Sequence, residues 1–267
     1  MSLTTGIIIV LLILIIALEY DRIQSYTIPL YTYYVEAFPI RFIGIYNSFL
    51  RLFSFTHPVL TRNVAEWFPE HKLLKDNWRI MRDEAMNIYT NYNMKKFNEA
   101  SLSSHEISSS GKWKSFILKW YRDPVKQAKL LAPKTTAIIN KIPQLRSCMF
   151  SVLEPHMHIP YHKGPYKGSY RYHLGLKIPS DRKNCYIEVN DKKYHWADGE
   201  DVIFDDTYKH CVHNNTDDIR IILFCDFDRP LIEPINSINK MFTDNASFSE
   251  WIKNVNDESE KAITLKN

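Results

Sequence analysis

Hydrophobic positions follow three different rhythms along this chain. Leu3 to Leu18 is a largely apolar run without a charge that stops abruptly at Glu19-Tyr20-Asp21-Arg22. It approaches the roughly 20 residues that a membrane-spanning helix needs, so residues 1–20 are expected to form a retained N-terminal transmembrane anchor. A cleaved signal peptide fits less well, because no Lys or Arg precedes the core and no small-x-small site follows it. Ile28 to Leu60 is again apolar and aromatic, but Glu36, Arg41 and Arg51 interrupt it. This juxtamembrane stretch (residues 21–70) reads equally as a membrane-surface helix with arginines at headgroup level or as a helix packed on the following domain. Positive charge lies only C-terminal to the first run, which predicts a single-pass protein with its main domain cytoplasmic.

The second rhythm is helical. Leu74, Trp78, Met81, Ala85 and Ile88 recur at helix spacing, predicting an amphipathic helix over Leu73 to Tyr92 with its Lys, Arg and Asp outside. Asn98 to Gly111 is polar and serine-rich, a loop suited to act as a lid. GKWKSFILKWY then predicts a strand, and Pro133 to Ile142 a short helix opened by its proline.

From Arg146 the rhythm shortens to β runs: SCMFSVLEP, YRYHLGLKIP, CYIEV, KKYHW, DVIFD and IRIILFCDF, separated by Gly, Pro, Asn and Asp. Asn190-Asp191 predicts a tight hairpin. Many short antiparallel strands without intervening helices predict a mainly β fold with flanking α, a double-stranded β-helix of the jelly-roll or cupin kind backed by the earlier helices. The catalytic or binding domain is expected over residues 71–235. A C-terminal helix (Ile235 to Phe242) and a charged tail account for residues 236–267.

A net charge of +4, from 34 basic and 30 acidic residues, is too small to argue for nucleic acid, and no basic run is interleaved with aromatics. The four cysteines (Cys148, Cys185, Cys211, Cys225) have no CxxC spacing and fall in strand-like runs, so buried free thiols are expected. Cys211 follows His210, and because strand side chains alternate it points away from any site that His210 builds.

The candidate chemistry lies in HIPYHKGPYKGSYRYHLGL and FDDTYKHCVHNNTDDIRIILFCDFDRPL. His162 and His210 are 48 residues apart, a separation that suits two strands meeting in a barrel. Arg220, ten residues after His210, would return on the next strand of a hairpin, where its guanidinium can grip a carboxylate at two points. Histidines with open metal positions and an arginine for a dicarboxylate suit a non-haem Fe(II), 2-oxoglutarate-dependent oxygenase. Spacing alone would equally allow His156 or His158 in place of His162, and His173 is a further rival. His195 and His213 are candidates for supporting positions, whereas His57, His71 and His105 lie outside the β-rich region. Asp205-Asp206 offers a carboxylate to the metal, although such a pair more often caps a turn.

At LKWYRDP, PKTTAII, PYKGSYRYHLGL, CYIEV and FDDTYKH…NNTDDIRIILFCDFDRPL the chain resembles the aspartyl/asparaginyl β-hydroxylase family, most closely its membrane-bound lipid A acyl-chain 2-hydroxylase branch. The resemblance implies that His162 and His210 ligate Fe(II). It also implies that Ser151, Arg171, His173, Arg220 and Trp113 line the 2-oxoglutarate pocket, with Arg220 on the far carboxylate. Many related oxygenases carry an acidic residue two places after the first ligand. Here that position is Gly164, as in the peptide-hydroxylating branch, whereas the lipid A branch tends to have aspartate. Water would then take the third protein position. The resemblance therefore implies O2-dependent hydroxylation of an unactivated C–H, with a membrane-presented acyl chain preferred as substrate and peptidyl Asp or Asn as the alternative. A non-catalytic jelly-roll that binds a ligand or protein is the reading from another class.

Overall fold

The long apolar runs become the middle strands of one large sheet. The computed structural model describes residues 5–13, 15, 46–96, 111–121, 123–245, 250–261 and 263–266. Strands β4 (Leu145–Leu153), β6 (Ser169–Lys177) and β11 (Arg220–Asp228) are nine residues each and almost wholly buried. They are covered on both faces, which explains why they read as continuous apolar runs rather than as alternations. With β1 (Leu60–Thr61), β2 (Lys95–Lys96), β3 (Trp113–Trp120) and β9 (Asp201–Phe204) they form a seven-stranded antiparallel sheet in the order β1-β9-β6-β11-β4-β3-β2.

A second antiparallel sheet has the order β5-β10-β7-β8, from β5 (Met157–His162), β7 (Cys185–Val189), β8 (Lys192–His195) and β10 (His210–Asn214). Its inner side faces the large sheet: the Phe204 ring lies 5.5 Å from that of His210, and His173 lies 6.0 Å from Trp196. Asn190 and Asp191 close the β7–β8 hairpin at φ 47° and 63°, the left-handed pair that a two-residue turn requires.

Helices back the outer face of the large sheet. Phe68 stacks on Phe227 at 4.3 Å and meets Tyr172 edge-on, while Met81, Ala85 and Ile88 are buried. The helix expected over Leu73 to Tyr92 is two helices, His71–Asp76 and Trp78–Asn91. At the break the Asn77 side-chain amide donates to the Leu73 carbonyl at 2.8 Å, a local bond that competes with helix propagation. Glu84 caps the Pro133–Ile139 helix, accepting from the Lys134 and Thr135 amides. Helices Val64–Trp67, Lys126–Leu131 and, beyond Ile235–Asn245, Glu250–Glu260 were not expected.

The expectation that Arg220 returns on a hairpin from His210 is corrected. β10 lies in the small sheet and β11 in the large one, so residues 215–219 cross between sheets. Asn214 shapes the crossing by donating its amide to the carbonyls of Leu153, Glu154 and Asp218.

Residues 5–13 and 15 are helical with Ile7 to Ile13 exposed, and among the described residues no helix is long and apolar enough to cross a membrane. The remainder of the Leu3–Leu18 run, the first half of the juxtamembrane segment (residues 21–45) and the lid loop up to residue 110 lie outside the described residues. Residues 46–52 form a helix packed on the domain, one of the two expectations for its segment. Leu50 and Asn47 are buried and Tyr46 packs on Phe242 at 5.0 Å, yet Leu52 and Phe55 are 68% and 83% exposed.

Candidate active site

A break in strand phase builds the histidine pair. Met157 and Ile159 of β5 face inward and His158 outward. Between Ile159 and His162 the register slips, so that three residues of β5 span what two residues of β10 span. The extra residue at this bulge reverses the alternation and turns His162 inward, opposite His210. Pro160, which cannot donate to a ladder, marks the bulge. The two rings lie 4.0 Å apart at 53°. Each Nδ1 lies 2.8 Å from the carbonyl two residues earlier, Pro160 for His162 and Tyr208 for His210. A carbonyl only accepts, so both Nδ1 atoms carry the proton and both Nε2 lone pairs are left for a metal. Burial pushes His162 down to about 4 and His210 well below the usual range, keeping both neutral. His156 instead pairs with Asp217 at the surface, and His158 stacks on His213 on the outer face.

Arg220 is buried at the start of β11. Its Nη2 donates to Ser151 Oγ at 3.2 Å, its Nε has no partner, and its guanidinium sits over Trp196 at 5.0 Å. Among the described residues no carboxylate pairs with it. Burial without a counter-charge pushes the group down to about 10. Trp113 Nε1 also donates to Ser151 Oγ, at 3.0 Å. With both lone pairs of that oxygen taken, its own proton is free to be donated onward. His173 lies among Trp196, Phe204 and Phe224, and neither ring nitrogen has a hydrogen-bond partner. A buried cation, an available hydroxyl proton and an unpartnered imidazole fit an anionic ligand that accepts hydrogen bonds, as a dicarboxylate does.

Arg171 is placed differently. Its guanidinium is taken up by Asp206 at 3.0 Å and Asp226 at 2.9 Å, and stacks over Phe224 at 4.3 Å. Asp205 and Asp206 divide their tasks. Asp205 Oδ1 caps the turn through the Thr207 amide and hydroxyl, while Oδ2 takes Lys167 and Arg229 into a buried network that holds the carboxyl down to about 2. Asp206 turns inward, and burial raises its pKa despite Arg171. Its carboxylate occupies the space of a side chain at residue 164: a Cβ on Gly164 would lie 1.8 Å from Asp206 Oδ2.

Sequence reasoning missed Trp196, the platform under Arg220; Asp226, the anchor of Arg171; and Tyr121. Tyr121 is held at φ 53° with its phenol within the fields of Asp226, Arg171 and Asp206. It also borders a cavity of about 610 Å³ shared with Lys119, Lys129, Arg146 and Asn256. The positive φ is the one local signal, and it is invisible without coordinates.

Known proteins place the chain in context. It is 39% identical over 157 residues to an ornithine lipid ester-linked acyl 2-hydroxylase of Rhizobium tropici, covering 59% of this chain and 56% of that protein. It is 30% identical over 169 residues to human aspartyl/asparaginyl beta-hydroxylase, covering 61% of this chain and 21% of that one. The chain thus spans about half of the first relative and a fifth of the second. A solved 2OG-Fe(II) oxygenase family oxidoreductase from Burkholderia pseudomallei overlaps 45% of this chain and 68% of its own, with 13% identity and a TM-score of 0.34, too slight to bear on function. The aspartyl/asparaginyl beta-hydroxylase family profile matches residues 75–230, which contain the two inward histidines, Ser151 and Arg220, and the chain belongs to that hydroxylase family.

Proposed function

We propose that the protein is an Fe(II)- and 2-oxoglutarate-dependent hydroxylase of acyl chains presented at a membrane surface. The observation that carries the cofactor assignment is Arg220, a buried guanidinium with no counter-ion among the described residues, on the same barrel interior as two neutral imidazoles. His162 and His210 would hold the metal through Nε2; Arg220 and Ser151 would hold the far carboxylate of 2-oxoglutarate, with Trp113 steering the Ser151 hydroxyl. When bound, iron with 2-oxoglutarate and O2 supplies the oxidising power to hydroxylate an unactivated C–H. The chain's own part is to orient and to exclude water. The two backbone carbonyls fix the imidazole tautomers, the Phe204, Phe224 and Trp196 rings wall the interior, and Asp206 and Asp226 immobilise Arg171 beside the histidines. The two antiparallel sheets support reading the domain as a double-stranded β-helix, an architecture that suits this chemistry.

The apolar surface beside the site supports the lipid substrate. The Asn47 side chain bonds the Pro165 carbonyl and the Lys167 amide, joining the 46–52 helix to the loop that follows His162. That helix and Ile235–Asn245 expose Leu52, Ile238, Met241 and Phe242, together with Phe55 in the turn after the first helix and Ile232 before the second, a face suited to a bilayer. The lipid-hydroxylating relative points the same way. Gly164 favours the peptidyl Asp or Asn alternative, as does the human relative.

The test is turnover by the full chain with Fe(II), 2-oxoglutarate and O2 on ester-acylated lipid in vesicles, read as succinate and hydroxylated acyl product by mass spectrometry. Stoichiometric formation of both, lost in His162→Ala and in His210→Ala, is expected. Succinate coupled only to an Asp- or Asn-containing peptide would transfer the assignment to the alternative.

A further inference from the structure

The outer face of the small sheet carries a second constellation, unrelated to the site within. Cys211 and His213 lie two apart on β10 and therefore share a face, and His158 of β5 stands directly opposite His213. The His158 and His213 rings stack at 4.1 Å and 19°, and Cys211 Sγ lies 3.5 Å from His213 Nε2. One ligand atom from each of the three lies within 4.8 Å of the others. Glu188 of β7 is opposite Cys211 on the same face, its carboxylate 2.6 Å from the Tyr161 hydroxyl, and Tyr186 stacks on His213 at 4.8 Å.

We propose that His158, Cys211 and His213 form a zinc site on the outer face of the small sheet, separate from the inward histidine pair. A thiolate with two imidazoles is a soft-to-borderline donor set that selects Zn(II) over Mg(II) or Ca(II). The spacing agrees. With Zn–S of about 2.3 Å and Zn–N of about 2.0 Å, a tetrahedral S–N edge is about 3.5 Å, the separation already present between Cys211 and His213. Closing the site needs movement chiefly of His158, the exposed member of the three. Glu188 or water completes the tetrahedron. Binding exchanges the thiol S–H bond for an S–Zn bond and releases one proton, with no change of oxidation state. The same two strands carry His162 and His210 on their other face, so the metal would act as a clip that fixes the strand pair from outside.

Full-length His162→Ala/His210→Ala protein, with the inner histidines removed, isolates the site. Titrated with Co(II) under a non-thiol reductant, it should bind one equivalent and show thiolate-to-cobalt charge transfer in the near ultraviolet, erased by one equivalent of Zn(II). Cys211→Ala in that background should abolish the band. His158→Gln, an exposed change that leaves the fold undisturbed, should weaken Zn(II) at least about 100-fold, since even loss of a supporting contact costs about 10- to 100-fold. A Co(II) complex without the charge-transfer band, no binding at all, or Zn(II) affinity unaffected by His158→Gln would overturn the proposal.

Discussion

Gly164→Ala is the most discriminating small change in this protein. Gly164 has no left-handed φ, so alanine meets no conformational obstacle there. The obstacle is space. The new methyl would sit 1.8, 2.2 and 2.7 Å from Oδ2, Cγ and Oδ1 of Asp206, every one of them inside van der Waals contact. Asp206 cannot swing away cheaply, because it is 4% exposed and its carboxylate is paired with Arg171. Displacing it separates a buried ion pair, which costs roughly 3–5 kcal/mol, whereas an ordinary overpacked methyl costs about 1–3 kcal/mol. The expected loss for Gly164→Ala is therefore about 3 kcal/mol or more. In an Asp206→Ala background the space is empty, and the same substitution should cost less than about 1 kcal/mol. A double-mutant cycle by urea unfolding of the ligand-free chain should give a coupling of at least about 2 kcal/mol, near the top of the range for contacting residues. Equal losses in the two backgrounds would refute the claim that Asp206 fills the place of a residue-164 side chain.

Three further outcomes are expected. Arg220→Met should leave the ligand-free chain at least as stable as the parent, because burial lowers the guanidinium to about 10 from its ordinary value and so opposes folding of the charged form by about 3 kcal/mol before its lost contacts are subtracted; it should also erase the stabilisation by 2-oxoglutarate, about 2.7 kcal/mol at 100 times Kd, and persistence of that stabilisation by thermal shift would exclude Arg220 from the cosubstrate site. The Asp205 carboxyl is held at about 2, below its ordinary value near 4, so its ionised form favours the folded state: that contribution, about 2 kcal/mol, is complete above pH 4 and lost as pH falls toward 2, and Asp205→Asn should lower stability at pH 7 and flatten the acid limb in urea titrations. Leu52→Ser/Phe55→Ser, at half the full-burial value for each side chain, should cost about 2 kcal/mol of membrane partitioning, about 30-fold in vesicle sedimentation, with turnover of detergent-dispersed lipid retained.

The sequence reveals what is buried on both sides and conceals what depends on phase. β4, β6 and β11 were legible because both faces are covered. β5 and β10 were placed on strands by the spacing of their histidines and not by an apolar run, since both are short, β5 has one face in solvent with Pro160 at a bulge, and β10 carries polar residues at His210, His213 and Asn214. In an unbroken strand His158 and His162, four apart, would share a face. The single extra residue separates them, and no propensity argument locates it. The same ignorance made the Arg220 strand look like a hairpin, when the crossing at 215–219 is fixed by Asn214 reaching carbonyls from β4 and its own turn. Arg171 fits this pattern too: its partners come from 35 and 55 residues away, and only the assembled sheets show that its charge is already matched.

The exposed apolar face and the loop after His162 are bound to each other by short polar ties. Asn47 grips residues 165 and 167, Tyr166 donates to Asn239 at 2.6 Å, and Asn239 donates to the Gly168 carbonyl at 2.8 Å. If a bilayer is what covers that face, the height of the reacting centre above the lipid surface is set by these bonds. Selecting which carbon is hydroxylated then becomes a measurement of length from the headgroup. Acyl chains of different total length would be modified at the same distance from their ester, and loosening Tyr166 or Asn239 would blur the position of the hydroxyl before it slowed the reaction.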